Sequence, residues 1–242
     1  MYEFKPTNSF NENNCILYLV PDRANRPKNL KVCPLCEAIR IESKTEYRSL
    51  SLINAKYPTA KDSKLLVTNQ CYAIPTYQDF IDLFEYLSKE QDLVGFCNMV
   101  NTPSIPNHWH IEITNVANLP DYFVEYWLKD IASKNKYYKI GLSLVKNHHG
   151  TFYVRQLKDK NIKSKAIILK RIYNFILNQK NKVHLVVTND LIIICFMNKF
   201  PKLVSISAKS IFGYFICSTP EKFEYMKKLG VSDLLTKYSR YI

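Results

Sequence analysis

Glycine is scarce in this sequence, which has only five glycines among its 242 residues. Loops that cradle phosphate groups with backbone N–H groups need several closely spaced glycines, and neither GxGxxG nor GxxxxGKS/T occurs here. The sequence therefore argues against the dinucleotide-binding and P-loop classes of protein.

Secretion and membrane segments are also missing from the sequence pattern. The first ten residues, MYEFKPTNSF, have no basic region followed by an apolar run. The most apolar run, HLVVTNDLIIICF, is too short to span a bilayer and is interrupted by a polar turn. The seven cysteines are odd in number and irregularly spaced, which indicates reduced thiols. We therefore expect a cytoplasmic protein that does not enter a membrane.

The chain carries a net charge of +13, from 34 basic and 21 acidic residues. A basic surface attracts polyanions such as nucleotides, nucleic acid or anionic lipid. Much of the excess is lysine scattered along the chain, which is equally typical of a solvated surface. The 47% apolar and 23% charged residues indicate an ordered globular protein, long enough for one large domain or two small ones.

Strand-like and helix-like segments are mixed along the whole chain. Apolar alternation or short apolar runs predict strands at 48–58, 64–69, 93–100, 108–114, 203–209 and 211–218, and a hairpin at 183–197. Apolar residues three and four apart predict helices at 77–90, 120–134, 166–179 and 218–230. Together they predict an α+β protein in which a mostly antiparallel sheet carries helices.

Two of the five histidines lie one residue apart in the segment SIPNHWHIEI, residues 104–113. Alternate side chains of a strand share a face, so His108, His110 and Glu112 are predicted to point one way. The apolar Trp109 and Ile111 then point into a core. A single imidazole on a strand is usually structural, whereas two with a carboxylate are typical of metal ligation or nucleophilic catalysis. An imidazole can attack phosphorus if a neighbour holds its other ring nitrogen as N–H.

A C-x-x-C pair, Cys33 and Cys36, stands near the N-terminus. Such a pair can hold zinc, form a redox dithiol or consist of two ordinary buried thiols. The redox alternative needs a thioredoxin-like strand before it and helix after it, which the sequence does not indicate. Zinc needs two further ligands, for which Cys71 and His108 are the candidates.

In their order along the chain, these segments resemble the histidine-triad superfamily, on its uridylyltransferase and nucleotide-phosphorylase side. That branch includes galactose-1-phosphate uridylyltransferase, diadenosine tetraphosphate phosphorylase and GDP-hexose phosphorylase. The matching segments are NRPKNLKVCPLC (25–36), NAKYP (54–58), LLVT (65–68), FCN (96–98), SIPNHWHIE (104–112), and the C-terminal stretches 185–199 and 205–231. The resemblance covers most of residues 20–238. It implies a histidine-triad-like antiparallel sheet with flanking helices, and relatives either pair into homodimers or pack two similar halves in one chain.

The resemblance also implies a reaction. The second histidine of the motif, His110, attacks the α-phosphorus of a nucleoside polyphosphate or nucleotide sugar and forms a nucleotidyl-histidine. Phosphate or a sugar phosphate then accepts the nucleotidyl group. By the same resemblance Asn54 faces the nucleotide, while Asn98 and Ser104 face the phosphates or orient the nucleophile.

The resemblance further implies a structural zinc ion. Its ligands are Cys33, Cys36 and His108, with the remaining position at or near Cys71, where the family has a histidine. A Cys₃His set is chemically sound for zinc. Within this scheme we divide the chain into an N-terminal extension over residues 1–30, a catalytic and zinc-binding part over 31–160, and a C-terminal α+β half over 161–242.

The sequence departs from the family pattern at the active site. A glutamine that donates to a phosphate oxygen in the family is here Glu112, and a carboxylate cannot donate unless it is protonated. The family's glycines before Ser104 are also absent. These departures favour an alternative function, a nucleotide-binding protein that has lost catalysis. A third hypothesis, removal of adenylate from nucleic-acid 5′ ends, is suggested by the charge, but no cluster of arginine and aromatic residues accompanies it.

Overall fold

The structure is a computed structural model that describes most of the chain. It describes residues 4–13, 15–25, 32–42, 45–72, 74–89, 92–99, 105, 107–119, 141–147, 150–158, 161–179, 182–204 and 206–239. The helix predicted at 120–134 and the predicted site residue Ser104 lie outside these ranges.

Strands and helices alternate along the described residues. The strands are β1 (Asn8–Glu12), β2 (Cys15–Leu19), β3 (Thr45–Glu46), β4 (Leu50–Asn54), β5 (Lys64–Thr68), β6 (Leu93–Met99), β7 (His110–Asn115), β8 (Ser143–Asn147), β9 (Gly150–Gln156), β10 (Lys182–Thr188), β11 (Leu191–Met197) and β12 (Tyr214–Cys217). The helices are α1 (Pro34–Glu42), α2 (Tyr77–Lys89), α3 (Ile162–Leu177), α4 (Pro220–Leu229) and α5 (Leu234–Tyr238). None of these described helices combines the length and apolar character that crossing a bilayer requires.

Nine of the described strands form one antiparallel sheet, in the order β3-β4-β5-β7-β6-β10-β11-β9-β8. The segment β4-β5-α2-β6-β7 gives the spatial order β4-β5-β7-β6, and the segment β8-β9-α3-β10-β11 gives the matching order β8-β9-β11-β10. The two halves meet where β6 pairs with β10 and Phe96 lies opposite Val186. The predicted α+β class and the two similar halves are therefore confirmed.

Helices α2 and α3 lie side by side on one face of this sheet, and the core between them and the sheet includes Phe80 of α2, Trp109 and Phe196. The start of α2 is fixed by a reciprocal pair of hydrogen bonds. The backbone N–H of Thr76 donates to the Asp79 carboxylate (2.6 Å), and the backbone N–H of Asp79 donates to Oγ1 of Thr76 (3.3 Å). Such pairs satisfy backbone donors that a helix start leaves unpaired.

The opposite face is covered by β2, by a 3₁₀ helix at Ala208–Phe212 and by β12. A strand was expected at 203–209, and that prediction is wrong. The Ser210 hydroxyl accepts from the backbone N–H of Ser207 (3.1 Å), and Gly213 ends the turn with a φ of 69°. Serine side chains that bond the nearby backbone favour such turns over the ladder of a sheet.

A second, small sheet joins distant parts of the sequence. It has the order β1-β2-β12, with β12 parallel to β2 and Tyr214 opposite Ile16. Strands from residues 1–30 thus pair with one from the C-terminal region, and strands from 31–160 and 161–242 share the large sheet. The division into three parts stays a prediction, and its parts share hydrogen-bonded sheets.

Candidate active site and metal centre

The histidine-rich segment enters its strand later than the pattern predicts. Because β7 begins at His110, His108 lies in the turn before it. Trp109 and Ile111 are buried on the helix side of the sheet, as predicted, while His110 and Glu112 are half-buried on the other face. His108 therefore lies outside the strand, and its ring contacts the thiols of Cys33 and Cys36.

Four potential metal ligands converge beside this turn. Cys33 and Cys36 stand at the start of α1, Cys71 follows β5, and His108 precedes β7. Their ligand atoms all lie within 4.8 Å of one another. Nδ1 of His108 is 3.2 Å from Sγ of Cys33 and 3.5 Å from Sγ of Cys36. This cluster could hold a metal ion.

The tautomer of His108 suits a metal ligand. Its Nε2 lies 2.7 Å from the backbone carbonyl oxygen of Thr68, and only an N–H can donate to that oxygen. Nδ1 therefore presents its lone pair to the thiols of Cys33 and Cys36. Burial lowers the pKa of His108, although the hydrogen bond to Thr68 opposes this, so the neutral ring is favoured. Metal-bound histidines are commonly oriented by such a hydrogen bond from the ring nitrogen that does not bind the metal.

The helix start of α1 favours a thiolate at Cys33. Burial alone would raise the pKa of this thiol, but the backbone N–H groups of Cys36 and Leu35 donate to its sulfur, and the pKa is lowered overall. Burial and the neighbouring Cys33 and Cys71 sulfurs raise the pKa of Cys36 to about 12. Because the three sulfur atoms lie so close together, they are not all ionised while no cation is bound. Binding of a metal ion would release the remaining thiol protons.

His110 is held in the opposite tautomer. Its Nδ1 is 2.9 Å from the backbone carbonyl oxygen of His108, so Nδ1 carries the hydrogen and Nε2 carries the lone pair. The ring is half-buried on the sheet face away from α2 and α3. A neutral imidazole with one nitrogen held as N–H presents the other as a nucleophile or base.

Glu112 is part of a buried ion pair that the sequence analysis did not predict. Nζ of Lys209, from the 3₁₀ helix, lies 3.1 Å from Oε1 of Glu112 and 3.2 Å from the Ser63 hydroxyl. Only 2% of the Lys209 side chain is exposed. The backbone N–H of Thr59 donates to the same carboxylate oxygen (3.1 Å), as does the Thr59 hydroxyl. Lys209 thus neutralises the negative charge of Glu112, which stands where the family has a glutamine that donates to a phosphate oxygen.

The ion pair keeps Glu112 ionised. Burial alone would raise the pKa of this carboxyl, but the charge of Lys209 and the hydrogen bond from Thr59 outweigh it and lower the pKa to about 2. The C-terminal half has no such pair: Glu112 lies opposite Phe96, and at the matching position Ile193 lies opposite Val186. The sheet can therefore fill this position with an apolar side chain.

The predicted nucleotide-binding residues lie in different surroundings. Asn54 is exposed at the end of β4. Asn98 is half-buried on β6, where its Oδ1 accepts from the backbone N–H of Ala208 (2.9 Å) and from Nδ1 of His184 (2.9 Å). Asn98 lies on the same sheet face as the Glu112–Lys209 pair, since Phe96 faces that side as well.

Lys209, Thr59 and His184 were not identified from the sequence. Lys209 is one of 34 basic residues, and it stands in a segment that was taken for a strand. The pairing with Glu112 spans 97 residues. One clue was available: an acidic residue where an amide was expected, on a strand with a buried apolar face, requires a cation opposite it.

No protein-family model matches the chain, and no curated protein matches it in sequence. Solved structures do match its fold. The crystal structure of yeast Ap4A phosphorylase Apa2 in complex with Ap4A has a TM-score of 0.68 at 15% identity, covering 100% of this chain and 93% of that one. The chain has a histidine-triad-like fold. The same yeast protein in complex with AMP gives a TM-score of 0.63 at 16% identity, covering 95% of this chain and 87% of that one.

The likeness to Apa2 extends over nearly the whole chain, including the nine-stranded sheet. A third crystal structure of yeast Ap4A phosphorylase Apa2 matches with a TM-score of 0.65 at 12% identity, over 99% of this chain and 91% of that one. Coverage of nearly both full lengths means that the small sheet and the C-terminal half belong to the shared fold. The predicted histidine-triad-like fold is therefore confirmed.

Proposed function

We propose that the chain is an enzyme that transfers a nucleotidyl group from a nucleoside polyphosphate or nucleotide sugar to phosphate, a sugar phosphate or water. The observation that carries the proposal is the His110 tautomer, because the carbonyl oxygen of His108 leaves the Nε2 lone pair as the reactive one. The fold shared with an Ap4A phosphorylase supports the nucleotide as substrate.

In the first step, the Nε2 lone pair of His110 forms a bond to the α-phosphorus, and the bond from that phosphorus to the bridging oxygen breaks. The leaving group departs with the bonding electrons, and the imidazolium of the adduct keeps its Nδ1–H bonded to His108. In the second step, an oxygen of the acceptor attacks the phosphorus and the P–N bond breaks, returning the lone pair to Nε2. Asn98 and Ser104 would contact the phosphates, and Asn54 the nucleoside.

Intact-mass measurement of the protein tests the proposal. The parent protein is incubated with a panel of dinucleoside polyphosphates and of ADP-, GDP- and UDP-sugars, and each sample is quenched and weighed. We expect a gain of one nucleoside monophosphate, stable to base and labile to acid, with at least one compound. Neither adduct nor turnover across the whole panel would contradict the proposal.

We further propose that the Cys33, Cys36, Cys71 and His108 cluster holds a structural zinc ion. Zinc bonds of about 2.3 Å to sulfur and about 2.0 Å to nitrogen put tetrahedral ligands about 3.5 Å apart, close to the separations of 3.2 and 3.5 Å between His108 and the two thiols. The ion would join α1 to the turn that precedes β7. A reducing, cytoplasmic setting would keep the thiols available, and homodimer formation also stays a proposal.

Metal analysis checks the zinc proposal. We expect about one zinc per chain, and removal by a chelator should lower the melting temperature by about 10 °C. Cys71→Ser should weaken zinc binding, because it removes one of four ligands. Cys195→Ala is the control, since this buried thiol lies outside the cluster and its loss should leave the zinc content unchanged. Equal zinc loss in both variants, or none in Cys71→Ser, would contradict the assignment.

A nucleotide-binding protein without catalysis is the second candidate function. The buried Glu112–Lys209 pair favours it, because the family's amide donor is missing and the carboxylate that replaces it is fully engaged. In that case a nucleotide would bind and remain uncleaved, with no adduct at His110. The mass measurement, combined with equilibrium binding of the same panel, separates the two candidates.

A further inference from the structure

Three polar side chains lie on the same face of the large sheet, the one away from α2 and α3. The register of β6 with β10 places Asn98 opposite His184. The register of β6 with β7 places Phe96 opposite Glu112, the last pair of that ladder. Asn98 and His110 each lie two residues beyond this pair, on the same face of the sheet. Asn98 therefore lies between the proposed nucleophile and a histidine of the other half.

The side-chain amide of Asn98 has a fixed orientation. The backbone N–H of Ala208 lies 2.9 Å from the atom that also lies 2.9 Å from Nδ1 of His184. A backbone N–H can only donate, so this atom is the oxygen Oδ1, and Nδ1 of His184 must be a donor as well. With Oδ1 held on the β10 side, Nδ2 is directed toward the β7 side, where His110 lies.

His184 is a polar residue at a fully buried position of the sheet, where an apolar residue is usual. It is 1% exposed, and within the described part of the chain its Nε2 has no hydrogen-bond partner. Burial lowers its pKa to about 3, with a smaller contribution from Lys182, so the ring is neutral. At the matching position of the N-terminal half, Val94 lies opposite Thr188. An apolar residue would satisfy the sheet here without leaving a buried nitrogen unpaired.

We propose that His184 is a positioning residue for the nucleotidyl-transfer site, contributed by the half that has no nucleophile. Together with the backbone N–H of Ala208, it holds Oδ1 of Asn98 so that Nδ2–H₂ donates to an oxygen of the α-phosphate at His110. β11, the counterpart of β7, contains no histidine. The inference rests on the proposed function.

Two substitutions of His184 separate this role from packing. The amide nitrogen of asparagine can take the place of Nδ1, whereas that of glutamine reaches the place of Nε2. We expect His184→Gln to slow adduct formation about 10- to 100-fold, the worth of one hydrogen bond to a charged group. The loss should fall on the rate of the chemical step more than on KM. His184→Asn should retain the rate within about threefold, because it keeps the donor to Asn98.

A double-mutant cycle tests whether His184 acts through Asn98. In an Asn98→Ala background, the further change His184→Gln should have almost no effect, because the amide that it orients is gone. Equal losses in both backgrounds would overturn the inference, and so would equal losses for His184→Asn and His184→Gln. Val186→Ala, two residues along the same strand face, is the folding control and should lower stability without slowing adduct formation.

A spectroscopic measurement decides the inference without activity. Two-bond ¹H–¹⁵N spectra of the parent protein should show His184 neutral and protonated on Nδ1 from pH 5 to 8. A proton on Nε2 would overturn the proposed orientation of Asn98. If the parent forms no adduct with any nucleotide, the proposed function fails, and the tautomer still decides whether His184 orients Asn98.

Discussion

Replacing His110 by alanine is expected to abolish the covalent adduct and to lower turnover by at least about 10⁴-fold. The reason is that Nε2 of His110 is the one atom to which the proposed mechanism assigns both bond-forming and bond-breaking steps. Rapid-quench measurement of product, together with the intact mass, gives both quantities. The variant should stay folded, since the ring is only half-buried.

Thr114→Ala provides a matched control for the His110 variant. Thr114 lies on the same strand and face, and its hydroxyl contacts only the backbone carbonyl of Lys61 (3.4 Å). This variant should form the adduct at the parent rate. The stereochemistry at a chiral α-phosphorothioate is a second check, because two in-line displacements give net retention. Net inversion, or an undiminished adduct in His110→Ala, would contradict a His110 intermediate.

Breaking the buried ion pair should have the second large effect. Lys209→Met leaves the Glu112 carboxylate buried without its cation, and Glu112→Gln leaves the Lys209 ammonium without its anion. Each change should lower the free energy of unfolding by about 3–5 kcal/mol, the usual cost of removing one partner of a buried pair. Chemical denaturation of the two single variants and the parent measures these losses.

The double variant distinguishes a coupled pair from two separate contacts. Glu112→Gln with Lys209→Met should be more stable than the sum of the single losses predicts, because neither charge is left unpaired. Lys227→Met is the control: the ion pair of Lys227 with Glu224 is exposed to solvent at 3.7 Å, so it should contribute at most about 1 kcal/mol. Strict additivity at Glu112 and Lys209 would contradict the coupling.

The pH dependence of stability gives the same pair an independent signature. The pKa of Glu112 is about 2 in the folded protein against an ordinary value of 4.5, so the unfolded chain binds the proton more tightly. The stabilisation from this lowered pKa is present above about pH 4.5 and is lost progressively as the pH falls toward 2. The Glu112→Gln variant should lack this part of the acid-induced loss.

The same double variant bears on the second candidate function. Glu112→Gln alone restores the family's amide but also leaves Lys209 unpaired, so a loss of activity in it could reflect instability. In the double variant the amide is present and no buried charge is stranded. A gain of turnover there would favour a protein that has lost catalysis, and a loss would favour an enzyme adapted to the ion pair.

The spacing of apolar residues was sufficient to predict those helices and strands whose own side chains determine which face is buried. The stripe through Phe80 and Phe84 predicted α2, and the turn at Asn189 predicted the β10–β11 hairpin. The strand prediction at 203–209 was wrong because a local serine hydrogen bond, which the spacing of apolar residues does not reveal, favours a 3₁₀ helix there. The four residues that the family resemblance implied as zinc ligands do lie within 4.8 Å of one another, and they could hold a metal ion.

The histidine tautomers and the pairing of residues far apart in the sequence could not be predicted from any sequence pattern. His108 and His110 are two residues apart, yet the carbonyl oxygens of Thr68 and His108 fix them in opposite tautomers. That difference depends on where two backbone carbonyl groups end in space. The partnership of Glu112 with Lys209 likewise depends on a turn 97 residues away.

The parallel pairing of β2 with β12 has a consequence for the order of events on the ribosome. Cys217 bonds the Tyr18 carbonyl across 199 residues, and the turn that carries Ala208 and Lys209 immediately precedes β12. A nascent chain can therefore build the His110 strand long before these residues emerge. Until then Glu112 remains hydrated and Asn98 lacks its backbone donor. The arrangement proposed for nucleotidyl transfer would thus be complete only after these residues have been synthesised, well after His110.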